Sequence, residues 1–210
     1  MKIGIIGAMS AEVAALKSKM KLAGTKRRAG MEFCEGTIGN TDVVIVQSGV
    51  GKVNAGCCVQ ILADLFDVTH IINTGVAGSL NNDINIGDIV VSTDALYHDV
   101  DATVFGYAKG EVPQLGTASF TADEMLRASA VRAIREADPD IQVFEGRVAS
   151  GDQFICDRAV KKGNCQVSSP LITWSTISIT EPPQSMVSRV FREAGTGFLL
   201  ILRYAVVAIA

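Results

Sequence analysis

Apolar residues along the chain come in short blocks whose spacing switches between strand-like and helix-like. Ile3 to Ile6 is a continuous apolar run closed by Gly7, the signature of a strand covered on both faces. Ser10 then offers an N-cap, and Val13, Leu16 and Met20 recur at helical spacing. Met31 to Ile38 and Asp42 to Ser48 read as a hairpin turning at Gly39-Asn40. From Gly51 to Phe66 the period is helical again, with Val53, Cys57, Ile61 and Leu65 on one stripe. Thr69 to Asn73 and Asp88 to Ser92 are short strands, separated by Thr74-Gly75-Val76-Ala77-Gly78. Asp99 to Ala118 reads as a long loop, Ala122 to Ala137 as a helix with Met125, Leu126, Val131 and Ile134 inward, and Gln142 to Ser150 as a strand. Asp157 opens a further helix. Strands alternating with helices predict an α/β fold, a central mixed sheet flanked by helices in a single domain.

The pattern ends near Lys162. Residues 163–210 hold two acids, Glu181 and Glu193, and no Asp, with breakers at Ser168-Ser169-Pro170 and Pro182-Pro183. Only Phe198 to Ala210 regains core character. It is 13 residues long and contains Arg203, against the roughly 20 apolar residues a bilayer span needs, so it reads as a buried strand. The chain therefore divides into an ordered α/β part, 1–162, and an atypical tail, 163–210.

Composition narrows the function. With 48% hydrophobic residues in 210, the chain can build a full core. The net charge of -3, no basic run beyond Lys26-Arg27-Arg28, and 6% aromatics disfavour a nucleic-acid partner. The N-terminal apolar run is too short for a signal peptide, and no membrane segment is expected. Five cysteines, two of them adjacent and none in a Cys-x-x-Cys, read as reduced thiols in a cytoplasmic protein rather than a disulfide or zinc framework.

Two phosphate-loop readings fail on spacing. Gly4-Ile5-Ile6-Gly7 lacks the Gly-x-Gly-x-x-Gly of dinucleotide binders. Gly49-Val50-Gly51-Lys52 lacks the earlier glycine and the following Ser or Thr of a Walker loop. Glu12, in the first helical turn after a strand end, complements the helix dipole at the least, and strand C-termini are where open α/β sheets bind ligands. His98, Asp99 and Asp101 form a polar knot, more a hydrogen-bonded cluster than a metal site. Ser150-Gly151-Asp152 with Phe154 reads as a strand-end turn, either a helix cap or a ligand loop with an aromatic platform.

Six ordered segments carry a resemblance: Gly7-Ala8-Met9-Ser10-Ala11-Glu12, Ser48-Gly49-Val50-Gly51-Lys52-Val53, Asn73-Thr74-Gly75-Val76-Ala77-Gly78, Gly87-Asp88-Ile89-Val90-Val91, Tyr97-His98-Asp99-Val100-Asp101 with Phe105-Gly106-Tyr107, and Ser150-Gly151-Asp152-Gln153-Phe154-Ile155. Over residues 1–162 the chain resembles bacterial 5′-methylthioadenosine/S-adenosylhomocysteine nucleosidases of the nucleoside phosphorylase superfamily. The resemblance implies hydrolysis of the N9–C1′ bond of adenine thionucleosides, without cofactor or metal, by a homodimer. It implies that Glu12 activates the attacking water and that Ala8 and Met9 wall the ribose and water pocket. Val50 would line the alkylthio pocket, and Ala77 and Gly78 would bring backbone close to the nucleoside. Phe154 would stack on adenine while the neighbouring backbone at Ile155 reads its edge. Phe105 and Pro113 would close the partner subunit's pocket.

The tail departs from the family. A Met-Glu-Gly segment, whose Glu holds the ribose hydroxyls, and an Arg-x-x-Ser-Asp segment, whose Asp protonates adenine N7, are both absent from 163–210. An altered reading frame after residue 162 and genuine divergence would each leave this pattern. The expectation is an impaired nucleosidase. The rivals are a non-catalytic homologue and, less favoured because Glu12 would repel phosphate, a purine nucleoside phosphorylase.

Overall fold

The computed structural model describes residues 1–153, 172–174 and 203–209. Their elements are β1 (Lys2–Gly7), α1 (Ser10–Lys19), β2 (Lys21–Arg28), β3 (Met31–Ile38), β4 (Thr41–Gln47), α2 (Lys52–Phe66), β5 (His70–Val76), β6 (Gly78–Ser79), β7 (Ile89–Tyr97), a 3-10 turn at Thr103–Phe105, β8 (Ser119–Thr121), α3 (Glu124–Ala137), β9 (Val143–Ser150), β10 (Ile172–Trp174) and β11 (Arg203–Ile209). The described strands join in one mixed sheet, ordered β2-β3-β4-β1-β5-β11-β7-β9-β10-β6, with β8 added beside β7.

β1 lies between β4 and β5, parallel to both. Ile5 is paired with Ile45 on one side and Ile72 on the other. Its alternate residues face opposite layers. Ile3 and Ile5 pack with Val13, Leu16 and Met20 of the α1 layer, together with Val43, Ile45 and Ile72. Ile6 packs on the other side with Phe33, Val44, Val46, Cys58, Leu62 and Phe66. Covered on both faces, these strands can be apolar at every position, which is why the run reads as it does.

β11 lies within the expected strand at Phe198 to Ala210. It is hydrogen-bonded in parallel to β5 and antiparallel to β7. Between Ser92 and Ala95 the β7–β9 register shifts. Asp94, inside that shift, takes Arg147 Nε at 2.8 Å.

Three features differ from, or go beyond, the sequence pattern. Ser10 begins α1 rather than capping it. The cap position is Met9, and the N–H of Met9 is met by Glu12. β2 is not anticipated by the hydrophobic pattern, because seven of its eight residues are exposed and only its ladder to β3 holds it. Of the α2 stripe, Val53, Cys57 and Leu65 face outward, and only Ile61 packs against the core. Val53 is 77% and Leu65 49% exposed, whereas Cys58, Leu62 and Phe66, one position along, fill the core. Both stripes are apolar, so periodicity could not choose between them. Burial pushes the Cys58 thiol up to about 12, making it an inert packing group. The helix expected from Asp157 lies outside the described residues.

Leu62 is fully buried. Leu62→Ala should lose roughly 2–5 kcal/mol in urea unfolding, whereas Cys57→Ser, on the exposed face, should change stability by no more than about 0.5 kcal/mol. Equal costs would contradict the helix orientation.

Candidate functional site

The C-terminal ends of β1, β4 and β5 converge because the three strands are parallel and in register. At that edge the Ser48 N–H donates to the Gly7 carbonyl at 2.9 Å, tying the segment after β4 to the end of β1. Glu12 completes the junction. Its side chain is buried, with Oε2 accepting from the Met9 N–H at 2.9 Å and Oε1 accepting from the Val76 N–H at 3.1 Å. The first bond is the returning half of a capping box. The second reaches across to the end of β5, 64 residues away. A carboxylate has about four lone-pair sites, so each oxygen keeps capacity for a further donor such as water. Gly7 allows this closeness, since a Cβ there would stand 2.7 Å from Val13 Cγ1 and 3.0 Å from Glu12 Cβ.

Several residues singled out from the sequence lie in the segments that leave these strand ends, and two more lie in the loop after β7. Ala8 and Met9 form the β1–α1 connection and are half-buried. Ala77 is buried directly after β5, and Gly78 begins β6, paired with Thr173 of β10. Val50 sits between Ser48 and the start of α2, 52% exposed. Phe105 ends the 3-10 turn at 79% exposure, and Pro113 is exposed in the turn bridged by Val112 and Thr117. Phe154 and Ile155 lie outside the described residues.

A second polar cluster fastens the far end of the Ser48–Lys52 segment. Lys52 Nζ reaches both oxygens of Asp99, at 2.8 and 2.7 Å. The Lys52 N–H donates to Asp152 Oδ1 at 2.8 Å, and the Asp152 N–H donates to Asp99 Oδ2 at 2.9 Å. Asp152 thus caps α2, whose own cap residue, Gly51, has no side chain. The knot expected of His98, Asp99 and Asp101 is corrected in two ways. Asp101 turns away to accept from the Thr103 N–H and hydroxyl. Lys52, given no role of its own by the sequence pattern, takes its place. Partners 47 and 100 residues apart leave no local signal. Among the described residues, no group of three or more His, Cys, Asp or Glu is arranged to hold a metal.

Burial raises the Asp99 carboxyl, but the Lys52 ammonium and the Asp152 N–H outweigh it, so Asp99 titrates below the usual carboxylate value. Burial lowers the Lys52 ammonium, but the Asp99 hydrogen bond together with the charges of Asp99 and Asp152 more than restores it, a shift upward that agrees with the pairing. Burial holds the His98 imidazole below its ordinary value.

A phosphorylase superfamily model matches residues 2–167. A 5′-methylthioadenosine/S-adenosylhomocysteine nucleosidase of Bacillus pumilus is 45% identical over 157 residues, covering 75% of this chain and 67% of that one. The enzyme of the same name from Bacillus subtilis is 37% identical over 201 residues, 96% of this chain and 84% of that one. The chain belongs to the 5′-methylthioadenosine/S-adenosylhomocysteine nucleosidase family. A solved nucleosidase from Colwellia psychrerythraea, in complex with adenine, superposes with a TM-score of 0.82 at 34% identity, covering 100% of this chain and 83% of that one. In this nucleosidase family member, the Gly7 carbonyl and the Lys52 cluster hold opposite ends of the same short segment.

The Asp99 pairing has a consequence in acid. Its folded pKa is depressed, so the stability it contributes is complete above the ordinary value of 3.8 and lost as pH falls through the lower folded value. Calorimetric melting of the parent and Asp99→Asn should therefore differ by a constant gap from about pH 7 to about pH 5, closing below the ordinary carboxylate value. A gap that persists unchanged into acid would show that the charge is not what stabilises the cluster.

Proposed function

We propose that the chain hydrolyses the N-glycosidic bond of 5′-methylthioadenosine and S-adenosylhomocysteine, releasing adenine and a thioribose. The observation that carries the reading is the Glu12 carboxylate, oriented by two backbone N–H groups at the edge where β1 and β5 end. Bond cleavage builds positive charge on the ribose, and a positioned water attacks C1′. In this reading Glu12 accepts the proton of that water. Ala8, Met9, Ala77 and Gly78 line the ribose side, Val50 the alkylthio side, and Phe154 with Ile155 the adenine side. Residues 163–210 belong to the same domain, a reading supported by the pairing of β11 with β5 and β7.

The functional unit in this reading is a cytoplasmic homodimer. Val50, Val53 and Leu65, with Val104, Phe105 and Leu115 from the long loop, are exposed apolar groups, and a second copy of the chain would cover them. Phe105 and Pro113 then close the partner's pocket.

Turnover is low in this proposal. Cleavage places electron density on adenine, which a proton at N7 must neutralise, and residues 163–210 contain no Asp. Loss of a general acid typically costs 10²–10⁴-fold.

Adenine release from methylthioadenosine, followed with and without phosphate, tests the function. The expected result is phosphate-independent release, at least about 10²-fold slower than that of a relative carrying both tail acids, and slowed a further ~10²–10⁴-fold in Glu12→Gln. Phosphate-dependent release would favour phosphorolysis, and adenine binding without release the non-catalytic reading. For the dimer, Val53→Asp should shift the sedimenting species from dimer to monomer. A monomeric parent would remove that part of the proposal.

A further inference from the structure

One margin of the sheet is both open and basic. Among the described strands β2 ends the order on its side and pairs with β3 alone. A two-residue turn, Ala29-Gly30, with φ of 48° and 77°, folds it onto β3, starting from the pair Arg28 and Met31. Its other side presents backbone N–H and C=O groups of the kind a further strand can pair with.

No acid occurs between Glu12 and Glu32, whereas Lys17, Lys19, Lys21, Lys26, Arg27 and Arg28 all fall in that interval. Lys17 and Lys19 lie in the last turn or two of α1, where they complement the helix dipole. The other four are half the residues of β2, and all four are exposed. They flank the open edge on both faces. The Lys26 ammonium lies 5.1 Å from the centre of the Phe66 ring, on the α2 side. Arg27 points the opposite way, toward Glu32, which is 4.0 Å from it and 3.5 Å from Lys17 of α1. In a chain of net charge -3 this is a local excess.

Charge on an edge strand keeps sheets from joining edge to edge. That protection is selective. The β2 of a second copy is equally basic and is turned away, whereas an acidic strand brings opposite charges directly across, and such pairs are favourable. The tail offers no complement, since residues 163–210 hold two acids against Arg189, Arg192 and Arg203. No aromatic residue occurs from Ser10 to Glu32, so the margin has no platform for nucleobases.

We propose that the free edge of β2 is a docking site for an extended acidic peptide segment of another protein, which adds to the sheet as an outer strand. The site runs from Gly24 to Arg28, where the ladder to β3 is regular, because the irregularity between Leu22 and Gly24 interrupts the edge before it. Backbone hydrogen bonds supply affinity, and the cations on both faces select Asp or Glu on both faces of the incoming strand. The site is independent of the nucleosidase reading, since β2 contributes nothing to the Glu12 junction.

The test is calorimetric titration of the full chain with the capped octapeptide Thr-Glu-Glu-Val-Glu-Glu-Val-Thr, alongside hydrogen exchange of the amides at 21–28. The peptide should bind, more weakly as salt rises, and slow exchange at alternate amides from Gly24 to Arg28. Its isomer with proline for both valines keeps the charge but cannot pair as a strand, and should bind at least about tenfold more weakly. Lys26→Glu/Arg28→Glu, two exposed positions, should weaken binding by at least as much. The peptide comparisons use the parent chain, so a variant that fails to fold leaves the outcome decided. Absence of binding to the parent would overturn the proposal. So would equal binding of the proline isomer, which would reduce the site to charge attraction, or unchanged affinity in a folded Lys26→Glu/Arg28→Glu. Tighter binding of a thymidine oligonucleotide than of the peptide would assign the margin to nucleic acid instead. Protection of 24–28 that grows with chain concentration, without peptide, would assign it to a second copy.

Discussion

The ladder of β1 between β4 and β5 is the constraint on which the site depends. Parallel strands in register must end on one edge, and the segments leaving that edge must part from one another within a few residues. The chain leaves β1 into α1, β4 into the loop before α2, and β5 into Ala77-Gly78. Three sets of backbone groups released from the sheet therefore crowd one small volume. Glu12 satisfies two of them with one carboxylate. Because leaving a buried N–H unpaired costs about 1–3 kcal/mol, the same side chain that organises a water in the proposed chemistry also stabilises the edge. The structural and chemical roles of Glu12 need not be separated by burial or by contacts, since both need an acceptor in the same place.

The second anchor is electrostatic rather than geometric. Lys52, Asp99 and Asp152 come from the start of α2, the end of β7 and the turn after β9. The pair is only partly buried, with the Lys52 side chain 29% exposed, so its attraction is screened and its contribution to global stability is modest. Its local effect is larger than its energy suggests, because it restrains a turn that the sheet no longer holds. Between the two anchors lies Val50, free of both and exposed. A segment fixed at its ends and open at its middle suits a surface that must meet a ligand or a second chain.

Much of the arrangement was legible in the order of residues. The strands β1, β4 and β5, the helix α1 face and the hairpin at Gly39-Asn40 follow from blocks of apolar residues and turn chemistry, and these are local signals. β2 was not legible, because an exposed strand joined to the sheet along one side needs no apolar residues. The buried face of α2 was not legible for a different reason. Val53, Cys57, Ile61 and Leu65 and the stripe Cys58, Leu62 and Phe66 are both apolar, and a helix with two apolar faces gives no periodicity by which to rank them. Packing against Phe33 and the middle strands chose one. Val53 and Leu65 of the other, left outside, belong to the surface from which the dimer is proposed.

By itself the sequence determined the α/β class, the central strands, the position of Glu12 after a strand end, and the family to which the first 162 residues point. Each of these is written in residues close together in the chain. Only the tertiary structure decided that Glu12 reaches Val76, that Asp152 caps a helix begun 100 residues earlier, and that Lys52 rather than Asp101 joins Asp99. These pairings depend on which strand ends arrive side by side. That order is set by burial of both faces of the sheet and by the completion of hydrogen bonds between strands distant in sequence, and no window of neighbouring residues contains it.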